Sequence, residues 1–167
     1  MSVASAVYAS TVNAVEVLDI PLGPAAAANS QLTVPSTAFS TAKTLNPTST
    51  PPVSAVTLFE QPLSAGAAVI DLTALVGTGG GAVDLTGLKV QVFKVKNKDG
   101  NADPITVTPG GSNPYLLAGS GFSVTLAPGQ EFTFYGAGAT AAVGASQKAI
   151  GLTGVGSQVA EVTIFAG

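Results

Sequence analysis

Phe122-Ser-Val-Thr-Leu-Ala-Pro128-Gly129-Gln-Glu-Phe-Thr-Phe-Tyr135 decides how this chain is read. Apolar residues recur at every second position around Pro128-Gly129, with Phe122, Val124 and Leu126 before it and Phe132 and Phe134 after it. Alternation of this kind marks a strand with one buried face. Proline sets φ at about −65° and glycine accepts a positive φ, so Pro-Gly suits the two central positions of a type II turn. The stretch predicts two strands, Phe122–Ala127 and Glu131–Tyr135, joined as a hairpin.

Working outward, short alternating or apolar runs separated by Gly and Pro continue from Val53 to the end of the sequence. They predict strands at Val56–Glu60, Ala67–Thr73, Leu88–Lys96, Ile105–Thr108, Lys148–Thr153 and Val159–Phe165, making eight with the first two. Eight short strands over residues 53–167 suit an all-β domain of the β-sandwich or jelly-roll kind. Within Leu88–Lys96 the apolar face passes from Leu88, Val90 and Val92 to Phe93 and Val95, which predicts a β-bulge near Val92. No stretch keeps a 3.6-residue period over three turns, and Asp71–Val76 holds at most one short turn.

Residues 1–52 read differently, as an extended N-terminal arm. Val12, Val15, Val17 and Ile20 give partial alternation, enough for one or two strands. From Ala25 the chain is Ala, Thr, Ser and Pro in irregular order, ending Asn46-Pro-Thr-Ser-Thr-Pro-Pro52. Such a linker favours extended or polyproline backbone and builds no core of its own. At about 3.3 Å per residue the stretch from Ala25 to Pro52 reaches on the order of 90 Å in a single pass, far enough to cross onto a neighbouring subunit.

Composition limits the chemistry. The 167 residues contain no His, Cys, Trp or Arg, and Met1 is the sole methionine. Without imidazole or thiol there is no Ser/His triad, histidine base, cysteine nucleophile, disulfide or thiolate metal site. Only 9% of residues are charged, the net charge is −3 and 46% are apolar, so the chain is not disordered in type. So little charge fits a surface largely covered by other subunits. The sequence Met1-Ser-Val-Ala-Ser5 has no basic n-region, and no apolar run approaches a membrane span, so synthesis in a cytoplasm is expected.

Several groupings resemble reactive sites. Asn97, Asp99, Asn101 and Asp103 place oxygens at alternate positions around Gly100, as in the opening of a calcium loop. A loop beginning at Asp99 lacks the required glycine and glutamate further on, having Pro104 and Gly110 there, so a turn is the better reading. Asp71 and Asp84, each followed by Leu-Thr, read as turn and strand-end caps rather than a catalytic pair. Ser146 and Lys148 read as a surface strand rather than a nucleophile and base. Lys94, Lys96 and Lys98 alternate along one strand and form the most concentrated positive patch, with edge-strand protection or contact with an acidic neighbour as its readings. With no Arg and no interleaved aromatics this is no nucleic-acid site. Gly79-Gly-Gly81, with no following Lys-Ser/Thr, is a loop tip, and Gly110-Gly-Ser-Asn-Pro-Tyr115 a connecting loop. No cofactor or metal is called for.

The Val- and Thr-rich strands with the Ala127-Pro-Gly-Gln130 turn, the Gly111-Ser-Asn-Pro-Tyr115 loop and the Ala/Pro/Thr arm together resemble virion structural proteins of tailed bacteriophages, most closely the small capsid decoration or cement type. The resemblance implies a β-sandwich or jelly roll, commonly a homotrimer, seated at capsid symmetry axes. It implies the major capsid protein or other virion subunits as partners, neither nucleic acid nor membrane, a place in the virion, and no catalytic residues. The arm, through Val12, Val15, Val17 and Ile20, and the face bearing Lys94, Lys96 and Lys98 are the expected assembly surfaces. The competing readings are an extracellular surface or filament subunit, which calls for a secretion signal, and a carbohydrate-binding β-sandwich, which calls for exposed aromatics. A glycosidase is disfavoured because nothing in the composition positions a sugar beside paired carboxylates.

Overall fold

The computed structural model describes residues 3–10, 14–18, 30–34 and 41–167, with the backbone alone for 14–18 and 30–34. The chain divides into two compact units, Val7–Thr44, and Met1–Ala6 together with Leu45–Gly167. Among the described residues every regular element is a strand and none is helical, as the β-branched and glycine-rich runs dictate.

In the smaller unit β1 (Ala6–Ser10) pairs with β4 (Thr41–Leu45), and β2 (Ala14–Leu18) pairs antiparallel with β3 (Ser30–Val34). Two of these strands, β3 and β4, lie within the Ala25–Pro52 stretch expected as a linker, and β1 and β2 lie where one or two strands were expected.

The larger unit contains β5 (Ala55–Pro62), β6 (Ala67–Asp71), β7 (Leu75–Val76), β8 (Ala82–Val83), β9 (Val90–Asn97), β10 (Ile105–Pro109), β11 (Val124–Leu126), β12 (Glu131–Tyr135), β13 (Ala149–Thr153) and β14 (Val159–Ala166). All eight expected strands are present. The small β7–β8 pair is additional, because two-residue strands joined through Gly77–Gly81 carry no periodicity to read. Two four-stranded antiparallel sheets result, ordered β12-β9-β14-β5 and β11-β10-β13-β6. The pairs are nested: β10 with β11, β9 with β12, β6 with β13, β5 with β14. The chain runs as one long four-against-four hairpin, rolled so that β14 also meets β9 and β13 also meets β10.

This winding corrects the hairpin expected at Phe122–Tyr135. The Pro128-Gly129 turn is there, with Gly129 at φ 81° and the Gln130 N–H bonded to the Ala127 carbonyl at 2.9 Å. Its two strands, however, enter different sheets: β11 pairs with β10 and β12 with β9. The alternating faces are then turned towards one another across the core instead of lying side by side. The Phe122 and Phe132 rings meet with centroids 5.5 Å apart.

One core fills the space between the sheets, built from Ile70, Phe93, Val95, Ile105, Val107, Ile150, Leu152, Val162 and Ile164 among others. Alternation along β14 is complete, with Ala160, Val162, Ile164 and Ala166 buried and the residues between them half-buried. The expected bulge falls at Gln91: Phe165 pairs with Val92 and Ala166 with Val90, so Gln91 is the extra residue and Val90 to Phe93 are all buried. The Gln91 amide is satisfied where it turns, accepting from Gly138 N at 2.8 Å and donating to the Gly167 carbonyl at 3.3 Å. The loop before Phe122 contributes the bulkiest fully buried side chain, Tyr115, which packs into the core.

Candidate functional site

The outward face of the first sheet carries the charges. Register places Glu131, Lys96, Glu161 and Glu60 in one row across its four strands, and Thr133, Lys94, Thr163 and Leu58 in the next. Lys94 binds Glu131 at 2.7 Å, Lys96 binds Asp99 at 2.6 Å, and Lys98 binds Glu60. Hydrogen bonds donated to Asp99 and Glu60 raise the Lys96 and Lys98 ammonium groups above the usual lysine range. These lysines therefore form a row of compensated pairs rather than a bare positive patch. They do not protect an edge either, since β9 lies inside its sheet between β12 and β14.

The second sheet turns an uncharged face outward. Thr125, Thr106, Thr153 and Ala67 form one row, and Thr108, Gly151 and Val69 the next, with the Thr106 and Thr125 hydroxyls 2.9 Å apart. At its margin Asp71 is held by Lys148 at 2.7 Å. Partial burial pushes the Asp71 carboxyl up, but hydrogen bonds from Lys148 and Thr73 outweigh it and hold the group below the usual carboxylate range. Lys148 thus serves Asp71 and is not half of a Ser146 dyad.

The two Asp-Leu-Thr sequences form the same device twice. Asp71 Oδ1 accepts from Thr73 N at 2.9 Å and from Thr73 Oγ1 at 2.6 Å; Asp84 Oδ1 accepts from Thr86 N at 2.8 Å and from Thr86 Oγ1 at 2.6 Å. Each turn drives its central leucine inward, and Leu72 and Leu85 are both buried. Asn97 to Asp103 is a turn whose amides bind the fold. Asn97 Nδ2 donates to the Leu126 and Asp103 carbonyls at 2.8 and 3.1 Å, and Asn97 Oδ1 accepts from Asn101 Nδ2 at 2.6 Å. Asn101 Oδ1 accepts from Val159 N at 3.1 Å. Of the oxygens that resembled a calcium loop, those of Asn97 and Asn101 are engaged in these hydrogen bonds and Asp99 is held by Lys96.

Of the expected arm contacts, Val15 and Val17 lie in β2, opposite Thr33 and Gln31 in register. Val12 and Ile20 lie outside the described residues. A surface that sequence reasoning missed opens where β5 and β6, the outer strands of the two sheets, run along the same side of the sandwich. A cleft of about 550 Å³ lies there, and Leu58, Val69 and Val76 line it at 47%, 59% and 57% exposure. A signal existed: β5 has Val56 and Leu58 on one parity and Phe59 on the other, and β6 has Val69 and Ile70, so both faces of these strands are apolar. No family model, curated protein or solved structure matches the chain.

Proposed function

We propose that the chain is a non-enzymatic structural protein of a virion, one that decorates or cements a capsid, with a jelly-roll domain as its rigid body and the arm as its adhesive element. The nested, rolled pairing of β5–β14 supports the jelly-roll reading. The observation that carries the function is the division of the chain into a cored sandwich and a separate unit built from two-stranded sheets. Two-stranded pairs are marginal in water unless one face is covered. Val7–Thr44 contains only Glu16, Asp19 and Lys43 as charged residues, which suits burial against another subunit. Lys94, Lys96, Lys98 and Lys148 are engaged in ion pairs, and Asp71 and Asp84 in turns.

Light scattering of the full chain across a concentration series tests this. An oligomer that persists on dilution and dissociates when residues 7–44 are removed is the expected result. A monomer at every concentration overturns it.

A further inference from the structure

We infer that the Asp99–Gly100 peptide link is a site of spontaneous covalent modification, at which the Asp99 side chain and the Gly100 backbone nitrogen cyclise and the link reopens as isoaspartate. The reaction needs a carboxyl group beside a backbone nitrogen that can lose its proton, and glycine favours it because no side chain crowds that nitrogen. Four aspartates lie in the larger unit, and three of them are blocked. Asp71 and Asp84 commit Oδ1 to Thr73 and Thr86. The nitrogens that follow them are bonded as well, Leu72 N to the Lys148 carbonyl at 2.9 Å and Leu85 N to the Leu72 carbonyl at 3.0 Å. Asp103 precedes Pro104, whose nitrogen has no proton to lose. Gly100 N, by contrast, has no hydrogen-bond partner among the described residues, and a Cβ built on Gly100 meets nothing within 4 Å. The Asp99 side chain is 75% exposed, so water reaches the site freely.

The step balances with water alone. The Gly100 nitrogen gives up its proton and bonds to the side-chain carbonyl carbon of Asp99, and the carboxyl hydroxyl leaves as water, closing a five-membered succinimide. Water then opens the ring at either of its carbonyl carbons, restoring the aspartyl link or leaving the backbone routed through the side chain. The isoaspartyl form adds one methylene to a turn fixed at both ends, by Asn97 Nδ2 on the Leu126 carbonyl at 2.8 Å and Asn101 Nδ2 on the Val159 carbonyl at 2.7 Å. Two contacts restrain the reaction in the folded chain. Lys96 Nζ binds Asp99 Oδ2 at 2.6 Å, and Oδ1 lies against the Pro128-Gly129 turn, 2.8 Å from where a Cβ on Gly129 would stand. The side chain must leave both before it closes on the nitrogen, so the Lys96 pair slows cyclisation.

The full chain is aged for weeks at neutral pH and body temperature, folded in one sample and unfolded in guanidinium chloride in another. Both are then digested with an endoproteinase that cuts before aspartate but not before isoaspartate. In the folded sample the expected result is a loss of cutting between Lys98 and Asp99 several times the loss between Val83 and Asp84 or between Ala102 and Asp103, with no change in mass. Gly100→Ala, which the open space at Gly100 accommodates, slows that loss severalfold, and Lys96→Gln speeds it severalfold. Equal losses at Asp99 and Asp84 overturn the inference. So does an Asp99 cut that stays whole in the folded chain after the unfolded chain has lost it. An unchanged rate in Lys96→Gln overturns the restraint assigned to Lys96.

Discussion

The backbone N–H of Val90 donates to the hydroxyl of Tyr115 at 3.1 Å, in place of a neighbouring strand. Val90 stays in register with Ala166, and hydroxyls serve both of its own backbone groups: Thr140 Oγ1 donates to its carbonyl at 2.8 Å. Tyr115 in turn donates to the Ala141 carbonyl at 2.7 Å, so one phenol serves a buried donor and an acceptor. Tyr115→Phe keeps the ring and strands both groups. A loss of about 1–3 kcal/mol is expected in urea unfolding, and a loss below about 0.5 kcal/mol contradicts the assignment.

Gly110 and Gly111 are neighbours in sequence with opposite demands. A Cβ at Gly110 meets Ala149 Cβ at 2.5 Å and the Ala149 carbonyl oxygen at 2.8 Å, whereas one at Gly111 meets nothing within 4 Å. Gly110 N also donates to that carbonyl at 2.9 Å, holding the loop against β13. Gly110→Ala should cost about 2 kcal/mol or more, comparable to overpacking a core, while Gly111→Ala leaves the melting temperature nearly unchanged. Matched thermal melts decide between them.

Much of this was legible beforehand, and the rest fails for identifiable reasons. Strand positions, the bulge beside Val92 and the two Asp-Leu-Thr turns follow from alternation and turn chemistry, which are local. The partners of β11 and β12 do not, because Pro128-Gly129 makes the same turn whether the flanking strands pair with each other or cross the core. Tyr115 was hidden in a Gly- and Ser-rich loop whose composition reads as surface. The ion pairs of Lys94 and Lys98 join residues distant in sequence, Glu131 and Glu60, and only the register brings them together.

Asp71 makes stability depend on acid. Its folded-state pKa lies below the unfolded value of about 3.9. Its contribution is complete above that value and is lost as pH falls through the folded pKa. The pair with Lys148 is about one-third exposed, so the effect is at most about 1 kcal/mol. Asp71→Asn should lower stability at about pH 7 and converge with the parent at about pH 2. A constant difference across that range contradicts the linkage.

The paired lysines predict indifference to polyanions. The parent chain should pass through a heparin column at about 50 mM salt, where unpaired basic patches bind. Combining Glu60→Gln with Glu131→Gln releases Lys98 and Lys94 and should produce retention that added salt abolishes. Retention of the parent itself contradicts the neutralised face.

The nested pairing of β5–β14 also sets a timetable. The innermost pair, β10 with β11, closes first at low entropic cost, and each outer pair must wait for more distant chain. The sheet holding β5 and β9 gains its central strand, β14, only when the last of the described strands has left the ribosome. Until then both neighbours remain uncapped on that side. A chain interrupted before β14 lacks the strand that joins β5 to β9, so the first sheet stays in two parts however well the second has formed.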